Sequence, residues 1–147
     1  MAILETAFMC LALNIYHEAK NQSMIGQVAV AQVVMNRVMD DRYPNSVCEV
    51  VKQGPTRPSW KDPSKRFPVK HKCQFSWYCD GKSDKPREEK AWSKAKEYAR
   101  IVLGGKISLD VTEGATHYHA TYVRPSWAKT KTRTARIESH IFYKWEK

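Results

Sequence analysis

A glutamate at the end of an apolar helical run is the residue of this chain best placed to do chemistry. Glu18 follows the apolar residues 8–13. Burial against apolar surface raises the pKa of a carboxyl group, because it disfavours the ionised form. A carboxylic acid that stays protonated near neutral pH can protonate the leaving oxygen of a glycosidic bond. Glu18 is therefore a candidate general acid of a glycosidase, although most glutamates at helix ends are simply solvated.

Glycosidases ordinarily pair such an acid with a second carboxylate. The candidates for this partner are Asp80, Glu113 and the pair Asp40–Asp41, and none has a local setting typical of a desolvated carboxylate. Asp80 precedes a glycine and is most simply part of a turn. The sequence thus favours a single-acid mechanism. Glu18 would first protonate the leaving oxygen and then, as a carboxylate, take the proton of a sugar hydroxyl that attacks the anomeric carbon.

A zinc centre is the main alternative chemistry. The possible ligands are His17, His117, His119 and His140, and two of them would project from the same face of a strand. The HExxH pattern is absent, because Asn21 stands where its second histidine would be. Histidines at strand spacing more often line grooves or form hydrogen bonds than bind metal. We therefore expect no metal and no other cofactor.

The charge of the chain indicates a polyanionic partner but does not identify it. The 147 residues carry a formal net charge of +10, which suits nucleic acid, an anionic membrane face or an anionic cell wall. A nucleic-acid-binding module without catalysis is one alternative, yet no zinc knuckle, RNP motif or helix-turn-helix spacing supports it. No apolar stretch approaches the ~20 residues of a membrane span. Residues 1–5 lack the basic start of a signal peptide, so we expect the chain to be made in the cytoplasm. We also expect a monomer that does not insert into a membrane.

Helices are predicted first along the chain, and a small β portion follows. Apolar residues at spacings of three and four predict the two long N-terminal helices. Ser46 and Glu49 have the spacing of a capping box, and Asp84 followed by Pro86 is typical of a helix entry. The predicted helices are 3–19, 24–39, 46–53 and 84–103, the last with Asp84 as its possible N-cap, and the predicted strands are 114–120 and 136–143. This order predicts an α+β fold in one domain spanning residues 1–147.

The cysteines and one long segment complete the expectations from the residues. Cys10 lies in an apolar run and is predicted to be a buried thiol. Cys73 and Cys79 are too far apart for a metal knuckle, and they would be able to form a local disulfide in an oxidising compartment. Residues 54–72 contain four prolines and six basic residues. They are predicted to be a long loop, which is usually functional or disordered.

The sequence resembles the spore-cortex-lytic, SleB-like family of cell-wall hydrolases over nearly its whole length. The matching segments, in the expected order, are ALNIYHEA (12–19), GQVAVAQVVMNRV (26–38), YPNSVCEVV (43–51), CQFSW (73–77), CDG (79–81), GATHYHA (114–120), RPSWA (124–128) and residues 137–143.

The resemblance implies a lysozyme-like α+β fold and cleavage of peptidoglycan between N-acetylmuramic acid and N-acetylglucosamine. The catalytic glutamate of the family matches Glu18, and the implied reaction is lytic transglycosylation to a 1,6-anhydro-muramoyl product. A hydrolytic muramidase is the alternative, and a zinc N-acetylmuramoyl-L-alanine amidase is less favoured. The residues that the resemblance places along the glycan groove are Gln74, Phe75, Ser76, Trp77, His117, Tyr118 and His119.

Three departures from the family pattern bear on the biological setting. The basic, proline-rich stretch before Cys73 is longer than usual, and neither a spore-targeting or peptidoglycan-binding repeat nor a signal peptide is visible. We therefore expect a phage endolysin or a virion-associated lysin used in bacterial cell lysis. Such a protein would be made in the host cytoplasm and would act on the cell wall after release.

Overall fold

The chain forms the α+β arrangement that its sequence predicts, and the computed structural model describes residues 6–147. Within these residues the helices are α1 (Ala7–Ala19), α2 (Met24–Val38), α3 (Val47–Val51) and α4 (Glu89–Leu103). The strands are β1 (Thr56–Pro58), β2 (Arg66–Pro68), β3 (His117–Ala120), β4 (Thr132–Ile137) and β5 (His140–Lys144). Two 3₁₀ helices, Ser76–Cys79 and Ser126–Thr130, connect them.

Helix α1 carries the predicted catalytic glutamate in its last turn. Its N-cap is Thr6, whose hydroxyl accepts a hydrogen bond of 3.1 Å from the backbone N–H of Met9. Cys10, Leu11 and Ile15 form its buried face, as the apolar spacing predicts. The predicted helix start at residue 3 lies outside the described residues.

Helix α2 is the central element of the fold. Every residue from 26 to 34 is buried, as expected for a helix that packs against other elements on all sides. One side joins the core shared with α1, α3 and α4 through Ala31 and Val34. The other side packs Ala29 and Val33 against Phe142 of β5. Helix α2 therefore fixes the distance between the helical part and the sheet.

The three-stranded sheet is antiparallel with the order β3–β5–β4. His117 pairs with Tyr143, and Tyr118 pairs with Phe142. The predicted single strand over 136–143 is wrong, because the chain reverses at residues 138–139 and forms a β4–β5 hairpin. Glu138 has a φ of 50° at this reversal, a left-handed conformation that residue-type patterns do not signal for glutamate.

Two disulfides cross-link the helical part. Cys73 and Cys79 are bonded, which confirms the local bridge that their spacing allowed. Cys10 is bonded to Cys48, so the prediction of a buried thiol is wrong. The Cys10–Cys48 disulfide joins α1 to α3 across 38 residues, and no local spacing reveals a pair so far apart.

The start of α4 and the predicted long loop also differ from expectation. Helix α4 begins at Glu89 rather than near Asp84, because the Tyr16 hydroxyl accepts the backbone N–H groups of Arg87 and Glu88, each at 3.1 Å. These bonds hold the entry in an extended conformation. Residues 54–72 are not entirely a loop, since β1 and β2 pair within them as an antiparallel hairpin. The Ser46 cap is confirmed, because its hydroxyl accepts from the N–H of Glu49 at 3.3 Å.

Candidate active site

Glu18 lies where the last turn of α1 meets strand β3. Its side chain is partly buried, and Oε1 accepts a hydrogen bond from the hydroxyl of Tyr118, which stands 100 residues further along the chain. Burial and the neighbouring carboxylate raise the pKa of Tyr118 well above its usual range. The phenol therefore keeps its proton and acts as a donor towards Glu18.

The pKa of Glu18 is raised above the ordinary value for glutamate. Burial is the largest cause, and it outweighs the Tyr118 hydrogen bond and the charge of Arg37, both of which lower the pKa. Desolvation thus favours the protonated acid, as the sequence leads one to expect. The two opposing groups favour the carboxylate once the proton has been given away. The surroundings of Glu18 therefore stabilise both its protonated and its ionised form.

Arg37 is the main site residue that sequence reasoning missed. Its side chain is 2% exposed, and its Nε donates to the carbonyl of Thr116 at 2.7 Å. Its guanidinium carbon lies 5.0 Å from the ring centre of Tyr43 and 5.4 Å from that of Phe75. Its Nη1 has no hydrogen-bond partner among the described residues. The signal available in the sequence was a lone arginine in the otherwise apolar and polar-neutral run 26–38.

The four carboxylates considered as partners for Glu18 do not contact it. Asp40 pairs with Arg42 at 2.7 Å, and the hydrogen bonds from Arg42 lower the pKa of Asp40 to about 2. Asp80 accepts the backbone N–H of Lys82 at 2.8 Å in the predicted turn. Asp41 and Glu113 are exposed. Within residues 6–147, the side chains that shift the pKa of Glu18 are Tyr118 and Arg37.

Strand β3 divides the groove residues implied by the family resemblance between two faces. Tyr118 points towards Glu18 and packs on Phe142, with ring centres 5.6 Å apart. His117 and His119 occupy the other face, where they contact Trp127 at 5.0 and 5.7 Å between ring centres. The structure therefore brings Tyr118 to Glu18 and sets the two histidines apart from it, as the alternation of a strand requires.

The histidine face of β3 borders a cleft of about 700 Å³. His119 and Tyr143 line it, and the other lining residues are Thr121, Val123, Arg124, Pro125, Ser126, Ala128, Lys129 and Ile141. His119 Nδ1 lies 2.7 Å from the carbonyl of Ala120, so it must carry the proton, and Nε2 accepts from the Tyr143 hydroxyl at 2.9 Å. Both ring nitrogens of His119 are thus engaged in hydrogen bonds within the protein.

Three of the four histidines proposed as alternative zinc ligands, His17, His117 and His119, have hydrogen-bond partners, whereas Nδ1 of His140 is buried without one among the described residues. His17 Nε2 bonds to the carbonyl of Asp84 at 2.8 Å, and its ring stacks on Trp77 at 4.6 Å. His117 Nδ1 lies 2.9 Å from the Thr116 hydroxyl. In the part of the chain that the structure describes, no three His, Cys, Asp or Glu side chains are arranged to hold a metal ion.

The segment 74–77 presents two of its side chains and buries the other two. Gln74 and Ser76 are exposed, whereas Phe75 and Trp77 are 3% and 7% exposed. The Trp77 indole donates to Asn14 Oδ1 at 2.9 Å. Asn14 lies one helical turn before Glu18 on the same face of α1, and its Nδ2 has no partner among the described residues. Phe75 and Trp77 therefore pack against Arg37 and Asn14, the neighbours of Glu18, rather than facing solvent.

Replacement of Tyr118 by Phe is expected to move the pH dependence of the reaction. A general acid must be protonated, so with Glu18 in the role that the sequence predicts, kcat/KM should fall as the pH rises through the pKa of Glu18. Removing the hydroxyl removes a donor that favours the carboxylate, so the pKa of Glu18 rises further. The alkaline limb of the kcat/KM profile should move to higher pH in Tyr118→Phe and stay in place in the control Tyr122→Phe. An alkaline limb that stays in place or moves to lower pH in Tyr118→Phe would contradict the hydrogen bond from Tyr118 to Glu18.

His117 should titrate far below an ordinary histidine. Burial, with repulsion from Arg37, Lys131 and Arg42, lowers its pKa to about 4. Because the unfolded pKa is about 6.5, His117 adds stability above about pH 6.5 that is lost as the pH falls towards 4. Imidazole NMR shifts should give a midpoint near pH 4, and a midpoint near 6.5 would show that the ring is solvated.

Comparison with known structures identifies the fold. The catalytic domain of the germination-specific lytic transglycosylase SleB from Bacillus anthracis superposes with a TM-score of 0.69 at 25% identity, covering 97% of this chain and 98% of that one. The catalytic domain of Bacillus cereus SleB gives a TM-score of 0.64 at 24% identity, with 94% and 89% covered. Fold and site together define a lysozyme-like α+β enzyme domain.

Sequence comparison identifies the family. The profile described as Cell Wall Hydrolase matches residues 21–143, and the chain belongs to this cell wall hydrolase family. The match begins three residues after Glu18, so the glutamate lies just outside it. A spore cortex-lytic enzyme from Halalkalibacterium halodurans is 28% identical over 133 residues, which are 90% of this chain. Those residues are 33% of that protein, so the chain spans about a third of the length of this relative.

Proposed function

We propose that this enzyme cleaves peptidoglycan glycan strands between N-acetylmuramic acid and N-acetylglucosamine by lytic transglycosylation. The observation that carries the proposal is the setting of Glu18. It is a carboxyl group with a raised pKa, held by the Tyr118 hydroxyl near the buried charge of Arg37, with no second carboxylate acting on it among the described residues. A lone acid suits a substrate that supplies its own nucleophile.

In the first step the Glu18 carboxylic acid protonates the glycosidic oxygen of the leaving N-acetylglucosamine. The bond from that oxygen to C1 of N-acetylmuramic acid breaks, and positive charge develops at C1. Glu18 becomes a carboxylate. The Tyr118 hydroxyl and the Arg37 guanidinium both favour that charged form, so they lower the free energy of the state that follows proton transfer.

In the second step the same carboxylate acts as a base. The C6 hydroxyl of N-acetylmuramic acid attacks C1 and gives its proton to Glu18, which closes the 1,6-anhydro ring and regenerates the acid. No water molecule is consumed. One residue can serve both steps because burial raises the pKa of Glu18 and favours the acid, while Tyr118 and Arg37 stabilise the carboxylate.

The other site residues have distinct roles in this proposal. Gln74 and Ser76 are exposed and offer an amide and a hydroxyl to sugar hydroxyls and N-acetyl groups. Phe75 and Trp77 are buried and hold Arg37 and Asn14 in place. His119 lines the cleft of about 700 Å³, where a more distant part of the glycan strand would lie, and His117 contributes to the aromatic face of β3 through its contact with Trp127.

The relatives support this chemistry. The similar Bacillus anthracis domain is named a lytic transglycosylase, and the similar Halalkalibacterium halodurans protein is named a cortex-lytic enzyme. The first shares the fold of this chain, and the second aligns with 90% of it at 28% identity, which favours the same class of substrate. The role of Glu18 rests on the geometry of this chain.

Fragment analysis of digested cell walls tests the proposal. Purified peptidoglycan is incubated with the enzyme, and the soluble products are separated and weighed by mass spectrometry. Anhydro-muropeptides are expected. Reducing muramic ends would instead make the enzyme a hydrolytic muramidase, in which water takes the place of the C6 hydroxyl. Free stem peptides would show a zinc-type N-acetylmuramoyl-L-alanine amidase and overturn the glycosidase proposal.

The biological setting that we propose is bacterial cell lysis, with the enzyme acting as a phage endolysin or a virion-associated lysin. The net charge of +10 favours approach to an anionic envelope, and no described helix is long and apolar enough to cross a membrane. Expression in a host together with a membrane-permeabilising protein should lyse the culture. Expression that leaves cells intact while the purified enzyme degrades isolated walls would count against this setting.

A further inference from the structure

The proposed reaction makes no use of the basic hairpin, which we define as residues 56–72. Strands β1 and β2 pair antiparallel, with Arg57 opposite Phe67. All of their residues are exposed except Pro68, which is partly covered. Among the described residues, these strands form a sheet of their own. The basic hairpin is therefore a projecting structure rather than part of the core.

The tip of the basic hairpin is held by hydrogen bonds. The N–H of Ser59 donates to the carbonyl of Lys65 at 2.9 Å. The Ser64 hydroxyl donates to the Asp62 carboxylate at 2.6 Å, and the N–H of Lys65 donates to the Asp62 carbonyl at 2.9 Å. These bonds fix a tight turn between the strands. The side chains that it displays are therefore presented in a defined arrangement.

Trp60 is displayed at this tip. Its side chain is 87% exposed, and Phe67 on β2 is 52% exposed. The ammonium of Lys61 lies 5.6 Å from the centre of the Trp60 ring. An exposed indole beside lysine is typical of segments that bind the interface of a lipid bilayer, where the ring sits among the headgroups and the cation contacts phosphate.

The charge of the basic hairpin is one-sided. Its basic residues are all exposed, and the single acidic residue is Asp62, which is engaged in the turn. The six basic residues are Arg57, Lys61, Lys65, Arg66, Lys70 and Lys72. Arg66 bonds across the hairpin to Thr56, and the others leave their charges to solvent or to a partner. Such a cluster attracts an anionic surface.

Two observations favour a lipid surface over other polyanions. The disulfides Cys10–Cys48 and Cys73–Cys79 are typical of proteins that work in an oxidising compartment, where nucleic acid is not the abundant polyanion. An anionic wall polymer would be bound by the cations, and its sugar rings can stack on an indole, so binding to such a polymer is the competing outcome of the test. Trp60 and Phe67 add exposed apolar surface next to the cations, which suits a bilayer interface.

We propose that the basic hairpin docks this enzyme on a bilayer rich in anionic phospholipid. The lysines and arginines contact headgroup phosphates, and Trp60 enters the headgroup region without spanning the membrane. Docking would hold the enzyme at the face of the membrane that the peptidoglycan covers. The proposal depends on the charge and exposure of residues 56–72 and not on the chemistry at Glu18.

Vesicle sedimentation tests the proposal. The intact protein is spun with vesicles of phosphatidylcholine alone and with vesicles containing roughly one-third phosphatidylglycerol, a composition that supplies a negative surface potential. Binding is expected only to the anionic vesicles and should weaken as salt rises. The double variant Lys61→Ala with Lys65→Ala should bind about 25-fold more weakly, since each cation near such a surface contributes about fivefold. Trp60→Ala should weaken binding several-fold.

Matched controls separate this effect from general charge and from folding. Lys90→Ala with Lys94→Ala removes two exposed cations from α4, and Tyr122→Ala removes an aromatic side chain that is 86% exposed. Both should bind vesicles like the parent. All variants should melt like the parent and should degrade purified peptidoglycan at the same rate, because no bilayer is present in that assay.

Four results would overturn the proposal. They are equal binding to neutral vesicles, unchanged binding by the hairpin variants, loss of wall degradation in those variants, or tighter hairpin-dependent binding to an anionic wall polymer or to single-stranded nucleic acid. A failure of glycan cleavage in the fragment analysis would leave the vesicle result intact. The two proposals can therefore fail separately.

Discussion

Glu18→Gln is expected to lower the rate of peptidoglycan cleavage by about 10²–10⁴-fold, the contribution of a well-placed general acid. The amide keeps the size of the side chain and can still meet the Tyr118 hydroxyl, but it has no proton to deliver to the leaving oxygen. Release of soluble muropeptides from purified walls, followed over time, gives the rate. Because the proposed mechanism also uses this group as the base of the second step, no partial reaction should survive.

The fold should persist in this variant. The pKa of Glu18 is raised in the folded protein, so ionisation costs stability as the pH rises above the ordinary glutamate range of about 4.3. Glu18→Gln should therefore unfold at the same temperature as the parent or a higher one near neutral pH. The matched control is Glu97→Gln, at an exposed position of α4, which should change neither rate nor stability. Substantial wall lysis by Glu18→Gln would refute the assigned role.

Removal of the Cys10–Cys48 disulfide should have the largest effect on stability. The bridge closes a span of 38 residues, for which loop-closure entropy predicts a loss of about 4 kcal/mol when both cysteines are replaced by alanine. For a chain of this size that loss corresponds to a fall in Tm of roughly 10–15 °C. The bridge fastens α1, which carries Glu18, to α3. Thermal unfolding followed by circular dichroism measures the change.

The Cys73–Cys79 disulfide provides the comparison. Cys73–Cys79 closes a span of 6 residues, so the corresponding double alanine variant should lose only about 2 kcal/mol. Both variants should retain cleavage activity well below their melting temperatures, since no cysteine contacts Glu18. An equal loss from the two bridges, or a larger one from the short span, would contradict the entropic account.

The elements built from continuous patterns were predictable. Helices α1 and α2 follow from apolar residues at spacings of three and four, and the Ser46 cap follows from its spacing to Glu49. The start of α4 was not predictable, because it depends on the Tyr16 hydroxyl bonding to Arg87 and Glu88. A helix boundary set by a tertiary contact leaves no local signal.

The sequence alone determined that the chain is α+β, that Glu18 ends an apolar helix, and that the segments around it are those of cell-wall hydrolases. Only the tertiary structure decided what surrounds Glu18. Tyr118 reaches it from β3, Arg37 is buried near it in α2, and alternation along β3 turns His117 and His119 away. Periodicity records which face of an element is apolar, but the packing of distant elements selects the neighbours of that face. The pKa of Glu18 depends on those neighbours and on its burial. The tertiary structure was therefore needed to describe the chemistry of the site.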